Sequence, residues 1–190
     1  IKDAERHEIK VNPVAVNHFT WITEATYKNM DLFPVYEKYA EMHDSFTNEN
    51  VDKNWMNNSF VCHDKVKIDL FKRYGYIAAA GDRHLAEFCE GKWYLADPDT
   101  VHGWGFGLTT VAWRKDDLKN RLQRSEDLRS GKEKVKINGT GEEGVNQIRA
   151  LLGLTDLVTN VNIPNVGQIP NLPLGAVVET NAVFRSNSLK

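Results

Sequence analysis

The chain has 190 residues, 41% of them hydrophobic and 26% charged, which suits one folded domain with its own core. Its 24 basic and 26 acidic side chains leave a net charge of -2, and no Lys- and Arg-rich stretch interleaved with aromatics offers a groove for a phosphate backbone, so the balance argues against nucleic acid as a partner. No apolar run reaches the ~18 residues of a membrane span, the start from Ile1 to Arg6 has no signal core, and the two cysteines, Cys62 and Cys89, make no zinc-knuckle pattern, so no membrane role and a reducing cytoplasm are expected.

In chain order, Val11, Val14, Val16, Phe19, Trp21 and Ile22 predict one or two strands between Ile9 and Thr23, interrupted by Asn17-His18. Val35, Tyr36, Tyr39 and Met42 recur at helical spacing and predict a helix over 33–43, with Pro34 tolerated in its first turn. The Asn-rich stretch from Asp44 to Ser59 reads as a loop, and a second helix follows over 65–73, closed by Tyr74-Gly75. Sparse apolar positions between Arg114 and Ser130 predict a solvated helix. Thr140-Gly141-Glu142-Glu143 reads as a capping box before Val145, Ile148, Leu151 and Leu152, the stripe of a better-buried helix. Residues 157–163 and 176–180 read as strands around Pro- and Gly-rich turns. The sum is an α+β fold with a mixed sheet and packed helices, one domain over 1–190. Without an initiator Met, and with an end just past an apparent strand, the chain is expected to be a piece of a longer protein.

Three segments carry candidate chemistry. His18, beside Asn17 in an apolar strand, is either a hydrogen-bonded core residue or a metal ligand. Gly81-Asp82-Arg83-His84 follows a run of small residues that permits close approach of a ligand; Gly81 offers an unusual backbone angle, and the alternative is a surface Asp-Arg pair with His84 opening a helix. The Pro-rich stretch from Val161 to Pro173 has no titratable group and reads as a structural turn whose amides are a further candidate contact to a ligand. Gly103-Trp104-Gly105-Phe106-Gly107 lacks the spacing and the following helix of a dinucleotide fingerprint.

Val16-Asn17-His18-Phe19-Thr20-Trp21 resembles the Asn-His motif of family-four glycoside hydrolases. Tyr74-Gly75-Tyr76 through Gly81-Asp82-Arg83-His84-Leu85-Ala86-Glu87-Phe88 resembles a motif of their α-galacturonidase and α-galactosidase branches, and Asn165 to Pro173 with Ala176-Val177-Val178-Glu179 is similar to their late segment. The resemblance implies hydrolysis of α-galactosides or α-galacturonides by NAD-dependent oxidation at C3, proton removal at C2 and elimination, with Mn2+ or another divalent metal. It implies His18 as metal ligand, Asn17, Arg83 and His84 at the sugar, and Asp82 as the catalytic base, with Tyr74 and Tyr76 as alternatives. A homo-oligomer acting on a small carbohydrate is expected. The nucleotide-binding turn and a metal-binding Cys of that family have no counterpart in these residues, so residues 1–190 alone are expected to bind NAD weakly or not at all and to show no turnover.

Two other readings compete. A hydroxy-acid dehydrogenase fragment would carry Asp and His for hydride chemistry and no metal. A non-catalytic carbohydrate-binding or assembly module would use Trp21, Trp55, Trp93, Trp104 and Trp113 as stacking platforms, although such dispersed Trp residues are expected in core or interface positions.

Overall fold

Two adjacent strands, β1 (Ile9–Val16) and β2 (Phe19–Tyr27), form an antiparallel hairpin in which Val16 pairs with Phe19. Only two positions separate that pair in sequence, and the second of them is His18. The computed structural model describes residues 8–16, 18–43, 62–136 and 143–190. Pro13, which has no N–H to donate, sits where the β1–β2 register shifts. On its other edge β1 pairs with β6 (Val177–Arg185), and β6 pairs with β5 (Leu157–Pro164). Short strands β3 (Met30–Asp31) and β4 (Ile77–Ala78) lie against β2, and β7 (Ser188–Leu189) lies against β6. The α+β class is as expected. Where a mixed sheet is expected, every pairing among the described residues is antiparallel, because hairpins and long returns, not parallel crossovers, join the strands.

The helices α1 (Phe33–His43) and α2 (Lys65–Tyr74) coincide with the periodic segments of the sequence. Gly75 closes α2 in the left-handed region at φ 73°, its N–H bonded to the Phe71 carbonyl at 2.8 Å. Three short helices follow in close succession: α3 (Asp82–Phe88), α4 (Gly91–Tyr94) and α5 (Pro98–Trp104). At α5, Asp97 accepts from the Thr100 N–H at 2.7 Å and Pro98 occupies the first turn. α6 (Val111–Arg129) has no buried residue, in accord with its charge pattern. The Asn-rich stretch and the residues Thr140 to Glu142 lie outside the described residues.

One expectation fails. On α7 (Gly144–Leu151) the apolar stripe faces solvent: Val145 is 69%, Ile148 59% and the following Leu152 69% exposed. Only Ala150 is buried, packed on Ala182 and Phe184 of β6. Periodicity marks which face of a helix is apolar, and tertiary contacts decide whether anything covers it.

The main core joins α2, α3, α4 and α5 to β2. Val66, Leu70, Ala78, Leu85, Ala86, Tyr94, Val101 and Phe106 are buried together, with Phe19 and Trp21 packed against them. Trp93 and Trp104 also pack there, whereas Trp113 is 39% exposed and Trp55 lies outside the described residues. The Pro-rich turn after β5 is structural, as expected. Buried Asn165 donates through Nδ2 to the carbonyls of Ile169 and Leu172 at 3.0 Å and accepts through Oδ1 from the Gly167 and Ile169 amides at 3.1 Å. In urea unfolding, Leu85→Ala should lower stability by ~2–5 kcal/mol, while Leu122→Ala on the solvated α6 should stay within ~0.5 kcal/mol; equal losses would contradict this placement of the core.

Candidate active site

The pleat of β2 separates two concavities. Thr20 and Ile22 point into a cleft of about 630 Å³, and Phe19 and Trp21 point into a smaller aromatic cavity of about 400 Å³ on the other side. Opposite Thr20 the cleft is walled by Asn160 and Asn162 of β5 and Glu179 of β6, with His18 and His84 also on its lining. The register sets this wall, since Asn162 pairs with Glu179 and Ala15 pairs with Glu179 from the β1 side. Asn160 Nδ2 donates to Glu179 Oε1, while Asn160 Oδ1 is buried without a hydrogen-bond partner.

His18 reaches the cleft because a two-residue hairpin turn requires positive φ, and its backbone takes φ 71°. Its ring meets that of His84 edge to face, with centroids 5.3 Å apart. His84 Nδ1 lies 3.3 Å from Glu87 Oε2 one helical turn on, which leaves Nε2 as the ring nitrogen available to the cleft.

The other expected site residues are distributed differently. Asp82 is 0% exposed and is not among the residues that line the cleft; its Oδ1 accepts from the Lys67 N–H at the start of α2, at 3.0 Å. Gly81 has an ordinary extended backbone at φ −77°, so the unusual angle expected there is not used. The segment is a helix start and not a loop: Asp82, Arg83 and His84 open α3, and helical rotation sends Asp82 and His84 to opposite sides of the axis. Arg83 is half-buried beside them. Tyr74 and Tyr76 line the aromatic cavity on the far side of β2, and Asn17 lies outside the described residues. The spacing of motifs gave no sign of Asn160, Asn162 and Glu179. Their alternation with apolar residues along two late strands was the available signal.

Burial holds the Asp82 carboxyl above its ordinary value of 3.8; the Lys67 amide works against this and the Asp64 charge adds to it. Burial likewise pushes the Cys62 and Cys89 thiols up, and both cysteines are free.

Together the fold and cleft define an α+β domain with imidazole, amide and carboxylate groups lining one open cleft. Residues 14–190 match the Family 4 glycosyl hydrolase C-terminal domain, and the chain belongs to that family. An alpha-galacturonidase from Thermoanaerobacterium saccharolyticum is 60% identical over 191 residues, which cover 100% of this chain and 41% of that protein. A crystal structure of a protein described as a glucosidase, LplD, from Bacillus subtilis is similar at a TM-score of 0.85 and 44% identity, over 100% of this chain and 43% of that one. A 6-phospho-alpha-glucosidase from gut microorganisms, solved with NAD and Mn2+, shares the fold at a TM-score of 0.58 and 16% identity, over 97% of this chain and 40% of that one. The chain thus spans less than half the length of these relatives. Among the described residues, no helix is long and apolar enough to cross a membrane.

The raised carboxyl of Asp82 has a definite sign in stability. The folded state binds this proton more tightly than the unfolded chain, so the contribution is complete below the ordinary 3.8 and is lost as pH rises through the higher folded value. Asp82→Asn removes that loss. In urea titrations at successive pH values in metal-free buffer, the stability of Asp82→Asn relative to the parent should increase as pH rises above 3.8; a pH-independent difference would show that burial does not perturb this carboxyl.

Proposed function

We propose that this chain is the sugar-side part of an α-galacturonidase that works by NAD-dependent oxidation at C3, proton removal at C2 and elimination, assisted by a divalent metal, with Mn2+ as the expected ion. Its high identity to a protein named alpha-galacturonidase supports the substrate class. The NAD and Mn2+ held by a family-fold relative support the cofactors. The observation that carries the reading is the meeting of His18 and His84 across 5.3 Å on a cleft that also holds Glu179.

The metal fits this cleft in part. Imidazole and carboxylate donors around an open space suit a divalent ion of intermediate hardness, with His18 as its nitrogen ligand and Glu179 as an oxygen donor. Further ligands would come from outside the described residues, since no trio of His, Cys, Asp and Glu within ligating reach of one another occurs at this cleft among them. When bound, the ion would supply positive charge that stabilises the anion developing on the sugar. NAD does not fit the described residues: the glycines at 103, 105 and 107 end α5 instead of opening a helix after a strand. Hydride transfer therefore lies outside what these side chains do, and NAD is assigned to the length of the longer relatives that this chain does not span.

What these residues do is bind, orient and move a proton. We assign to Nε2 of His84, with Nδ1 against Glu87, the removal of the proton from a sugar carbon in the cleft; its position on the cleft lining supports this. Asp82, the base implied by family resemblance, accepts from the Lys67 N–H at the start of α2, which supports a role in orienting α3. Arg83 is assigned to the galacturonide carboxylate through two parallel hydrogen bonds, and Asn17, which precedes His18 in sequence, to sugar hydroxyls. Free thiols suit a reducing cytoplasm, and a homo-oligomer is proposed for the complete protein.

The test is made in the full-length protein with NAD, Mn2+ and an aryl α-galacturonide. His84→Gln should lower kcat by ~10²–10⁴ and abolish exchange of the C2 hydrogen with solvent deuterium. His18→Ala should raise the Mn2+ concentration needed for activity, and Asp82→Asn should keep the exchange. An Asp82→Asn enzyme with native melting and no C2 exchange would return the base role to Asp82. In the same assay Arg83→Ala should erase a preference for galacturonide over galactoside of at least about tenfold, ~1.4 kcal/mol; an unchanged preference would place carboxylate recognition elsewhere.

A further inference from the structure

We propose that Cys62, Asp64 and Asp82 form a thiolate–dicarboxylate site for one divalent cation of the zinc class, on the opposite side of α3 from the His18–His84 cleft. One ligand atom from each of the three lies within 4.8 Å of the other two. The thiol is already turned inward: Cys62 Sγ accepts from the Asp82 N–H at 3.4 Å and lies 3.6 Å from Asp64 Oδ1.

Asp82 gives the independent sign of a ligand. It is 0% exposed, and one carboxylate oxygen is used by the Lys67 amide. The other, Oδ2, is buried with no hydrogen-bond partner. The Lys67 and Lys65 amides at the start of α2 both act on this carboxylate, yet Oδ2 itself has no hydrogen-bond partner and lies beside a thiol and a second carboxylate, an arrangement that a cation resolves and an apolar contact does not. A second orphan faces the same group from α1. The Tyr36 hydroxyl is buried without a partner, and its pKa is raised by burial and by the negative charge of Asp64 and Asp82.

The backbone also fits a ligand-holding role. Asp64 occupies the position before α2 where a side chain would cap the helix, yet it makes no cap bond, holds a left-handed φ of 57°, and turns its carboxylate toward Cys62. Lys67 Nζ lies 3.4 Å from Asp64 Oδ1, so a divalent ion with the ammonium would offset a thiolate and two carboxylates. Thiolate donors select zinc over manganese, and a tetrahedral ion would complete its shell with water or the Tyr36 hydroxyl. Binding releases the thiol proton to solvent as the S–metal bond forms. Cys62 is exposed at its rim, which provides an entry path.

The probe is Co2+ added to the reduced 190-residue chain, read by the thiolate-to-cobalt charge-transfer band, a readout independent of catalysis and of the galacturonidase reading. The band should form in the parent, Cys89→Ser and His18→Ala proteins and be absent in Cys62→Ser. Asp64→Asn, at the solvent side and so least able to disturb folding, should weaken Co2+ binding beyond the about 10–100-fold typical of losing an outer-shell partner. Zn2+ should displace the band and raise the melting temperature of the parent but not of Cys62→Ser. Absence of a band in the parent, or a band lost in Cys89→Ser or His18→Ala instead, would overturn the proposal.

Discussion

The hydrogen bond from the Lys67 N–H to the Asp82 carboxylate fixes how α3 is turned, and the site depends on that turn. With 3.6 residues per turn, positions two apart on a helix point about 200° from each other. Once Asp82 faces the start of α2, His84 must face away from it, and away from it lies the cleft bounded by β2, β5 and β6. Leu85 and Ala86 then fall on the remaining side and are buried in the core, which locks the rotation by packing. A single tertiary cap thus goes with His84 lining the cleft while Asp82 is buried against the start of α2.

The opposing imidazole is placed by different physics. A turn of two residues between paired strands demands positive φ, and at His18 that demand is met by a residue with a Cβ and not by glycine. Such strain persists when the surroundings over-determine it. Here the hairpin is held by the β1–β2 ladder and by the pairing of β4 with Trp21 and Ile22, so the ring of His18 is carried by a rigid edge of the sheet. Sheet register on one side and helix rotation on the other bring His18 and His84 together.

Much of the fold was legible because its signals are local. Apolar alternation located β1, β2, β5 and β6, helical spacing located α1 and α2, and Gly75 marked a left-handed stop. The short helices α4 and α5 escaped because a turn or two of helix carries too little periodicity to read. The site was half legible. His18 and His84 stood out as imidazoles in recognisable motifs, but Asp82-Arg83-His84 left two readings open, a loop that delivers all three to one place and a helix opened by His84; the segment is helical from Asp82 on. Glu179 was invisible for the converse reason: it is one polar position in an ordinary alternating strand, and only the pairing of β5, β6 and β1 turns it toward the histidines. The apolar face of α7 shows the same limit, since composition identifies the face and not its neighbour.

α3 therefore acts as a partition between two kinds of chemistry. On one side stand imidazole, amide and carboxylate groups around an open volume, a set that leaves coordination positions for substrate and discriminates weakly among divalent ions of intermediate hardness. On the other stand a thiol and two carboxylates within a few ångströms, one of them wholly buried, a set that favours a softer ion held tightly and closed to substrate. Because Asp82 belongs to the second set and His84 to the first, two residues apart on one helix, a cation on the scaffold side would stiffen the first turn of α3 and with it the position of the imidazole in the cleft. The width of a helix thus separates the two donor sets, and in the proposed reading each side would take its ion by donor softness.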